Sequence, residues 1–211
     1  MKYQKGIWIP EDDNEKSWSE GYESRQYKKL NLSGKLCLDI GAHVGIWTKR
    51  LSRDFDDVIC FEPLPKHIDC HKKNCEGLNN VTLHQYALSD EEATTEMETR
   101  DFNSGQSSLV KERNLKDGFK VVVKTKTLDS FDLPEIDFIK MDVEGYEKEV
   151  IAGAKKTILK YLPKIYVEIW DKNVDSVKEV MASMGYSMKK RSWPNYLFEN
   201  GNGDWSEVSG K

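Results

Sequence analysis

Five carboxylates stand where apolar runs of the sequence stop. Asp39 comes just before a glycine at the end of one run, Glu62 closes the next, and Glu168 closes a later one. Asp142 and Glu144 directly follow a fourth apolar run. Grouped carboxylates act as general bases or hold a cation, and a like charge nearby raises the pKa of a carboxyl. If these runs are adjacent parallel strands, their carboxyl ends form an acidic crevice.

A glycine-containing loop, Asp39-Ile-Gly-Ala-His-Val-Gly45, follows the first of these runs. A glycine directly after a strand permits a tight turn and lets a ligand approach the backbone, and free N–H groups of the next helix point at that ligand. Glu62 lies 21 positions after Gly41. This is the spacing of an acidic residue whose carboxylate accepts the hydroxyls of a ribose. The two features together predict a cofactor that contains a nucleoside.

The charge of the loop distinguishes between such cofactors. A dinucleotide brings a pyrophosphate, which binds the amides of a Gly-x-Gly-x-x-Gly loop. Here the loop reads Asp-x-Gly-x-x-x-Gly and acids close the neighbouring runs, so the crevice repels a pyrophosphate and suits a cation. S-adenosylmethionine, with a sulfonium, an ammonium and no phosphate, is the favoured cofactor. The alternatives are a dinucleotide-dependent oxidoreductase or epimerase, and a non-catalytic binding module that retains the fold.

Strands and helices alternate along the part of the chain that must position these residues. The predicted strands cover 35–40, 58–61, 81–88, 136–141 and 165–169, the predicted helices 44–53, 65–77, 146–159 and 174–184, and a closing antiparallel pair 186–190 and 196–198. This order predicts an α/β fold with a doubly wound, mostly parallel sheet and helices on both of its faces.

Three segments depart from the alternation. Residues 1–30 are polar and aromatic without a clear period, and we expect an N-terminal extension that covers the site of a domain spanning 31–200. Residues 94–127 contain two half-exposed strand patterns around a turn-rich stretch, which predicts an inserted hairpin or lid. The polar tail, 201–211, is expected to be flexible.

Composition excludes several classes of protein. The 211 residues are 38% hydrophobic and 32% charged, which is enough to form a core and too polar for a membrane protein. The net charge of −4 argues against nucleic acid as the partner, and the apolar runs are far shorter than the ~20 residues of a membrane span. The start of the chain has no signal-peptide pattern, and two of the four cysteines lie in apolar runs. We therefore expect a cytoplasmic protein with reduced thiols.

Six successive motifs between about residues 35 and 170 resemble those of FkbM-family methyltransferases. They are Asp39-Ile-Gly-Ala-His-Val-Gly45, Phe61-Glu62-Pro63, Asn80-Val81 with Ala87-Leu88-Ser89-Asp90, Ser104-Gly-Gln-Ser-Ser-Leu109, Thr127-Leu128-Asp129 and Ile139-Lys-Met-Asp-Val-Glu-Gly145. The family has the seven-stranded class I methyltransferase fold and is similar to enzymes that O-methylate sugars and polyketide-type metabolites. The resemblance implies an S-adenosylmethionine-dependent O-methyltransferase that releases S-adenosylhomocysteine. Its acceptor would be a hydroxyl of a carbohydrate, glycoconjugate or similar small metabolite.

The resemblance also implies which residues contact the cofactor. The methionine end would lie near Asp39, Gly41, His43 and Gly45, the ribose on Glu62, and the adenine between Pro63 and Leu64 on one side and Ala87 and Leu88 on the other, with Asp142 close by. His43 departs from the pattern, since asparagine is common there in the family.

Methylation of a neutral hydroxyl needs an aligned acceptor and a base that takes its proton. The candidate bases are Asp142, Glu144, Glu168 and His43. Asp142 or Glu144 could instead cap the helix predicted to begin near Tyr146. The three carboxylates also offer enough oxygen ligands for a divalent cation such as Mg²⁺, although no metal ligand is assigned.

The acceptor is expected to meet Gln106, Ser107 and Ser108, whose side chains offer hydrogen bonds to hydroxyls, and Trp170 and Trp18, whose rings can stack on a sugar. A solvated loop and core filling are the simpler alternatives. The expected partner is a small molecule or glycan.

His67, His71 and Cys75 fall on one face of a predicted helix, at a spacing that resembles a metal site. No cysteine pair faces them, so we interpret the stripe as an ordinary helix face.

Overall fold

The computed structural model describes residues 1–13, 27–101, 103–110, 115 and 117–201, and these residues form strands and helices in the predicted alternation. The strands are β1 (Lys2–Gln4), β2 (Ile7–Ile9), β3 (Gly34–Ile40), β4 (Phe55–Phe61), β5 (Val81–His84), β6 (Ala87–Leu88), β7 (Ala93–Arg100), β8 (Gly118–Lys126), β9 (Phe138–Met141), β10 (Lys164–Glu168), β11 (Tyr186–Ser192) and β12 (Asn195–Asn200). The helices are α1 (Ile46–Asp54), α2 (Pro65–Asn74), α3 (Glu147–Gly153), α4 (Lys155–Tyr161) and α5 (Asp171–Ser183), with 3₁₀ turns at Ser104–Gln106 and Leu128–Ser130. None of the described helices is long and apolar enough to cross a bilayer.

Seven of the strands form one sheet in the order β11-β12-β10-β9-β3-β4-β5. The five strands from β10 to β5 in this order are parallel, and β12 runs antiparallel to both of its neighbours. The predicted doubly wound, mostly parallel seven-stranded fold is therefore confirmed. Because β3 lies between β4 and β9, the winding reverses at β3, and ligands of such sheets bind beside the carboxyl ends of the strands at this point.

Two hydrophobic cores cover the two faces of this sheet. Alternate residues of β3 point to opposite faces, so Leu36 and Leu38 enter the core formed with α3, α4 and α5, whereas Cys37 enters the core formed with α1. The same alternation places Asp39 on the α1 face, where it is completely buried. The two helical layers thus fix the ends of β3 and its neighbours, which carry the candidate site.

The inserted hairpin is confirmed by the antiparallel pairing of β7 with β8. It belongs to a separate three-stranded sheet, in the order β6-β8-β7, rather than to the main sheet. The prediction of one strand over 81–88 is wrong. The edge strand β5 ends at His84, opposite Phe61, where β4 also ends, and the chain then crosses to pair Ala87 and Leu88 with β8.

The prediction of one helix over 146–159 is also wrong, because the helix breaks at Ala154. The backbone carbonyl of Ser89 lies only 1.9 Å from where a Cβ on Gly153 would be, so the first helix ends against this strand connection. The second helix gains its own cap, since the Asp129 carboxylate accepts hydrogen bonds from the Lys156 and Thr157 amides at 3.0 and 2.8 Å.

Residues 1–13 of the N-terminal extension contain a β1–β2 hairpin that packs on α2. Ile7 and Ile9 are buried in a small apolar cluster with residues of the glycine loop and α2. The Asn74 side chain bonds both backbone groups of Trp8, at 2.7 and 2.8 Å, and donates to the Val44 carbonyl at 2.7 Å. Residues 14–26 and 202–211 lie outside the described residues, so the cover expected from 1–30 and the flexible tail stay predictions.

Replacing Asn74 with alanine is expected to lower the free energy of unfolding by about 2 kcal/mol, because three partly buried backbone groups lose their partner. The exchange of amide hydrogens in residues 1–13 should also become faster. Denaturant unfolding and hydrogen-exchange mass spectrometry measure the two effects. Asn80→Ala is the matched control, since the Asn80 amide bonds the carbonyls of Ser52 and Phe55 instead. Equal exchange of residues 1–13 in both variants would contradict the assignment.

Candidate active site

A cavity of about 340 Å³ opens at the carboxyl ends of β3 and β9, where the topology places a ligand. Its volume lies within the range of small-molecule sites, ~300–1,000 Å³. Most of the sequence-predicted site residues line it. They are Gly41, His43, Glu62, Pro63, Leu64, Ala87, Leu88, Gln106, Ser107, Asp142, Glu144, Glu168 and Trp170. The fold thus brings candidate cofactor, base and acceptor residues to one cavity.

Three predicted residues do not line the cavity, and Trp18 lies outside the described residues. Asp39 is buried beneath the glycine loop, where its Oδ2 accepts a hydrogen bond from Thr48 Oγ1 at 2.7 Å. Gly45 lies behind the loop against α2. Ser108 is buried and donates to the backbone carbonyl of Glu144 at 2.8 Å. Asp39 and Ser108 hold the walls of the cavity instead of facing it.

The two loops that carry the site touch at Gly41. This residue has φ +74°, and a Cβ there would lie 1.9 Å from the Asp142 carbonyl oxygen. Only glycine combines the left-handed backbone with so close an approach. The Lys140 ammonium donates to the Gly41 carbonyl at 3.1 Å and lies 3.6 Å from Asp39 Oδ1 and 3.8 Å from Asp142 Oδ2. Lys140 lies in the motif Ile139-Lys-Met-Asp-Val-Glu-Gly145, but no role is predicted for it from the sequence.

Glu62 is oriented by three donors. Its Oε2 accepts from the His43 amide at 2.9 Å, and its Oε1 accepts from the Leu64 amide at 3.0 Å and lies 3.1 Å from His67 Nδ1. Burial opposes ionisation, but His67 and the backbone donors outweigh it and lower the pKa of Glu62. A carboxylate has about four acceptor positions. One acceptor position therefore remains, on Oε2. The carboxylate can accept a hydrogen bond from one ribose hydroxyl, whereas the sequence predicted contact with both.

His67 is a site residue that the sequence analysis assigned to an ordinary helix face. It is only 2% exposed, lines the cavity, and hydrogen-bonds with both ring nitrogens, to Glu62 and to Ser104 Oγ. The signal that could have identified it is its place in the first turn of α2, directly after the strand that ends in Glu62.

Asp142, Glu144 and Glu168 form an acidic cluster at the ends of β9 and β10. One carboxylate oxygen from each lies within 4.8 Å of the others. Helix α3 begins after Tyr146, whose side chain makes no cap hydrogen bond, and capping by Asp142 or Glu144 stays an alternative. Glu147 organises this turn, since its Oε1 accepts from the Gly145 amide at 2.8 Å. Asp142, Glu144 and Glu168 all line the cavity.

The cluster contains a carboxyl suited to accept a proton. Burial raises the pKa of Asp142, with the charges of Asp39 and Glu62 adding to the effect and Lys140 opposing it. A raised pKa makes a carboxylate a stronger base. His43 is a poorer candidate, since burial and then the neighbouring His67 lower its pKa well below the usual value. Its buried Nε2 has no hydrogen-bond partner among the described residues.

The acceptor side of the cavity contains Trp170, Gln106 and Ser107. The buried Nε1 of Trp170 has no hydrogen-bond partner in the described part of the chain, and its ring meets that of Trp193 edge to face at 5.4 Å. The Ser107 hydroxyl lies 2.6 Å from both Thr99 Oγ1 and the Ser104 carbonyl, and Gln106 accepts a hydrogen bond from Arg100. The two turn residues are thus partly engaged within the protein.

Comparison with known proteins identifies the family and the fold of this chain. The chain is 29% identical over 165 residues to the 2-O-methyltransferase NoeI of Sinorhizobium fredii (strain NBRC 101917 / NGR234), covering 69% of this chain and 67% of that protein. Its fold is similar to that of methyltransferase FkbM from Methylobacillus flagellatus KT, with a TM-score of 0.57 and 15% identity. That match covers 81% of this chain and 45% of the other.

A Streptococcus mutans protein solved in complex with S-adenosylhomocysteine has a TM-score of 0.51 and 15% identity, covering 86% of this chain and 96% of that protein. Residues 39–188 match the family model described as the methyltransferase FkbM domain. This segment covers more than two thirds of the chain and contains most of the residues that line the cavity. The chain therefore belongs to the FkbM family of methyltransferases.

Proposed function

We propose that this protein transfers the methyl group of S-adenosylmethionine to a hydroxyl of a carbohydrate, glycoconjugate or similar small metabolite. The observation that carries the proposal is that Glu62, on the cofactor side, and the cluster of Asp142, Glu144 and Glu168 open into the same cavity. A methyl donor held by the first would lie beside a base from the second.

The residues of the cavity fit this cofactor. Glu62 has one acceptor position left for a ribose hydroxyl, and the unpartnered His43 Nε2 can take a further hydrogen bond. Leu64, Ala87 and Leu88 supply the apolar walls that an adenine ring needs. The grouped carboxylates favour a sulfonium cation and disfavour a pyrophosphate. The S-adenosylhomocysteine held by the Streptococcus mutans protein adds support.

Bound S-adenosylmethionine supplies an electrophilic methyl group, and the protein aligns the acceptor and removes its proton. Alignment of a hydroxyl oxygen with that methyl group can supply ~7–11 kcal/mol. Asp142 accepts the hydroxyl proton, because burial raises its pKa and makes it a stronger base than an ordinary aspartate. Glu144 and Glu168 accept hydrogen bonds from neighbouring hydroxyls and so orient a polyol.

The carbohydrate class is supported by the groups around the base. Carboxylates that accept hydrogen bonds from several hydroxyls, beside an indole face such as that of Trp170, are typical of sugar recognition. The relative from Sinorhizobium fredii is named as a 2-O-methyltransferase, which also favours a hydroxyl acceptor.

Glu62→Gln is expected to weaken S-adenosylhomocysteine binding about 10- to 100-fold, because the buried charge that receives the ribose is lost. Isothermal titration calorimetry measures the affinity, with NAD as the comparison ligand. The exposed Glu76→Gln is the control. If the folded wild-type protein binds NAD and not S-adenosylhomocysteine, the oxidoreductase alternative replaces the proposal.

Asp142→Asn is expected to lower kcat by about 10²- to 10⁴-fold while S-adenosylhomocysteine affinity changes little. The assay follows labelled methyl transfer from S-adenosylmethionine to a panel of mono- and oligosaccharides. The base must be ionised, so wild-type kcat falls as the pH drops through the pKa of Asp142. Because that pKa is raised, the fall begins at a higher pH than an ordinary aspartate would give.

Asp132→Asn, at an exposed position, is the control for this experiment and should keep full activity. Loss of wild-type activity in EDTA, restored by Mg²⁺, would contradict the role of Asp142 as the base. It would indicate that the cluster holds a cation instead.

A further inference from the structure

Four buried polar side chains form a connected chain of hydrogen bonds, of which the proposed function uses only Glu62. Asp13 accepts hydrogen bonds from the Ser104 amide at 3.0 Å and from Ser104 Oγ at 2.5 Å. Ser104 Oγ lies 2.8 Å from His67 Nε2, and His67 Nδ1 lies 3.1 Å from Glu62 Oε1. All four residues are at most 4% exposed. This chain of hydrogen bonds therefore joins the N-terminal segment to Glu62, the carboxylate predicted to receive the ribose.

The donors and acceptors of these hydrogen bonds determine the protonation state of the His67 ring. The Asp13 carboxylate only accepts, so the single hydroxyl hydrogen of Ser104 is donated to it. Ser104 Oγ then accepts from His67 Nε2, while the ionised Glu62 accepts from Nδ1. Both nitrogens of His67 therefore carry a hydrogen, and the ring is a cation between two carboxylates. Such charge-assisted hydrogen bonds are stronger than neutral ones.

The charged groups around His67 agree with this state. Glu62 faces it from the end of β4 and Asp13 from the N-terminal segment. His43, from the glycine loop, meets the His67 ring edge to face at 4.2 Å. His43 itself stays neutral and gives its backbone amide to Glu62. Glu62 is thus held from one side by the glycine loop and from the other by His67.

These hydrogen bonds also connect residues that are far apart in the sequence. Asp13 and Ser104 are 91 residues apart, and Ser104 and His67 are 37 apart. Ser104 begins the 3₁₀ turn that carries Gln106 on the acceptor side of the cavity. A single hydrogen-bonded unit therefore spans the N-terminal segment, the acceptor-side turn, α2 and the cofactor side.

We propose that His67 is a positioning residue that holds Glu62 for the cofactor and makes its position depend on Asp13 and Ser104. This inference rests on the proposed function. It means that Asp13 sets the affinity for the cofactor, although none of the described residues 1–13 lines the cavity.

A metal ion is the competing explanation. Asp13, His43 and His67 each offer one ligand atom within 4.8 Å of the others, and two histidines with one carboxylate suit several transition metals. However, the Ser104 hydroxyl lies between Asp13 and His67 and already bonds the facing atoms of both. The contacts therefore favour the hydrogen-bonded chain.

The test measures S-adenosylhomocysteine affinity by calorimetry in the full-length protein. Asp13→Asn is expected to weaken binding by about fivefold or more. The matched control is Asp12→Asn, which removes an ion pair with Lys66 at 3.0 Å and leaves the chain intact, so its affinity should change less than about twofold. The double variant Asp13→Asn/Glu62→Gln should bind no more weakly than Glu62→Gln alone, because Asp13 acts through Glu62.

Three results on affinity and metal content would each overturn the inference. They are equal affinity of the Asp12 and Asp13 variants, additive losses in the double variant, and a stoichiometric metal that elemental analysis finds in the wild type and not in Asp13→Asn. If Asp13→Asn does not fold, Ser104→Ala removes one oxygen of the same chain and must give the same loss of affinity. Nitrogen NMR of the His67 ring should show both nitrogens protonated, and a neutral ring would overturn the inference as well.

Failure of the proposed function gives a different result. A folded wild-type protein that does not bind S-adenosylhomocysteine removes the proposed function. A wild type that binds it, with Asp13→Asn unchanged, removes only the role of His67.

Discussion

The contact between Gly41 and Asp142 is the constraint on which the rest of the site depends. β3 and β9 are parallel neighbours in the central part of the sheet, and Ile40 pairs with Met141, so both strands end at the same level. Their loops can then touch only if one residue lacks a Cβ, and glycine provides this. The cofactor-side loop and the loop that carries the candidate base are therefore held at van der Waals distance. A larger residue at position 41 would push apart the loop after β3 and the loop after β9, which carries the candidate base.

So close an approach concentrates negative charge, and buried nitrogen groups from two elements lie beside these carboxylates. Burying carboxylates costs several kcal/mol per ion unless partners are present. Lys140, which pairs with Asp39 across the β3–β9 ladder and is covered by the α1 layer, lies beside both Asp39 and Asp142. His67, from α2, lies beside Glu62, with its Nδ1 3.1 Å from Glu62 Oε1. Both Lys140 and His67 line the cavity, and Glu144 and Glu168 add two further carboxyl groups to its lining.

The sequence was sufficient to predict the residues that follow from strand periodicity. Apolar runs define the strands, parallel strands end at one edge, and acids at those ends must meet. Period-two alternation also explains Asp39, because a residue two positions after Cys37 shares its buried face instead of pointing into the crevice. What the sequence could not supply are contacts between remote segments. The break at Ala154 depends on the Ser89 carbonyl, and the role of His67 depends on Asp13 and Ser104, which no local pattern connects.

The residues that strand periodicity predicts and those that depend on remote contacts lie on different sides of the cavity. The cofactor side is formed by strand ends of the main sheet, whereas the acceptor side is formed by the turn at Ser104–Gln106 and the loop before α5. On that second side Ser107 and Gln106 are bonded within the protein, and Trp170 lines the cavity together with Glu144 and Glu168. A phosphorylated or carboxylated acceptor would be repelled by this surface. An uncharged polyol would not be repelled, because its hydroxyls can donate hydrogen bonds to the same carboxylate oxygens that would repel an anion.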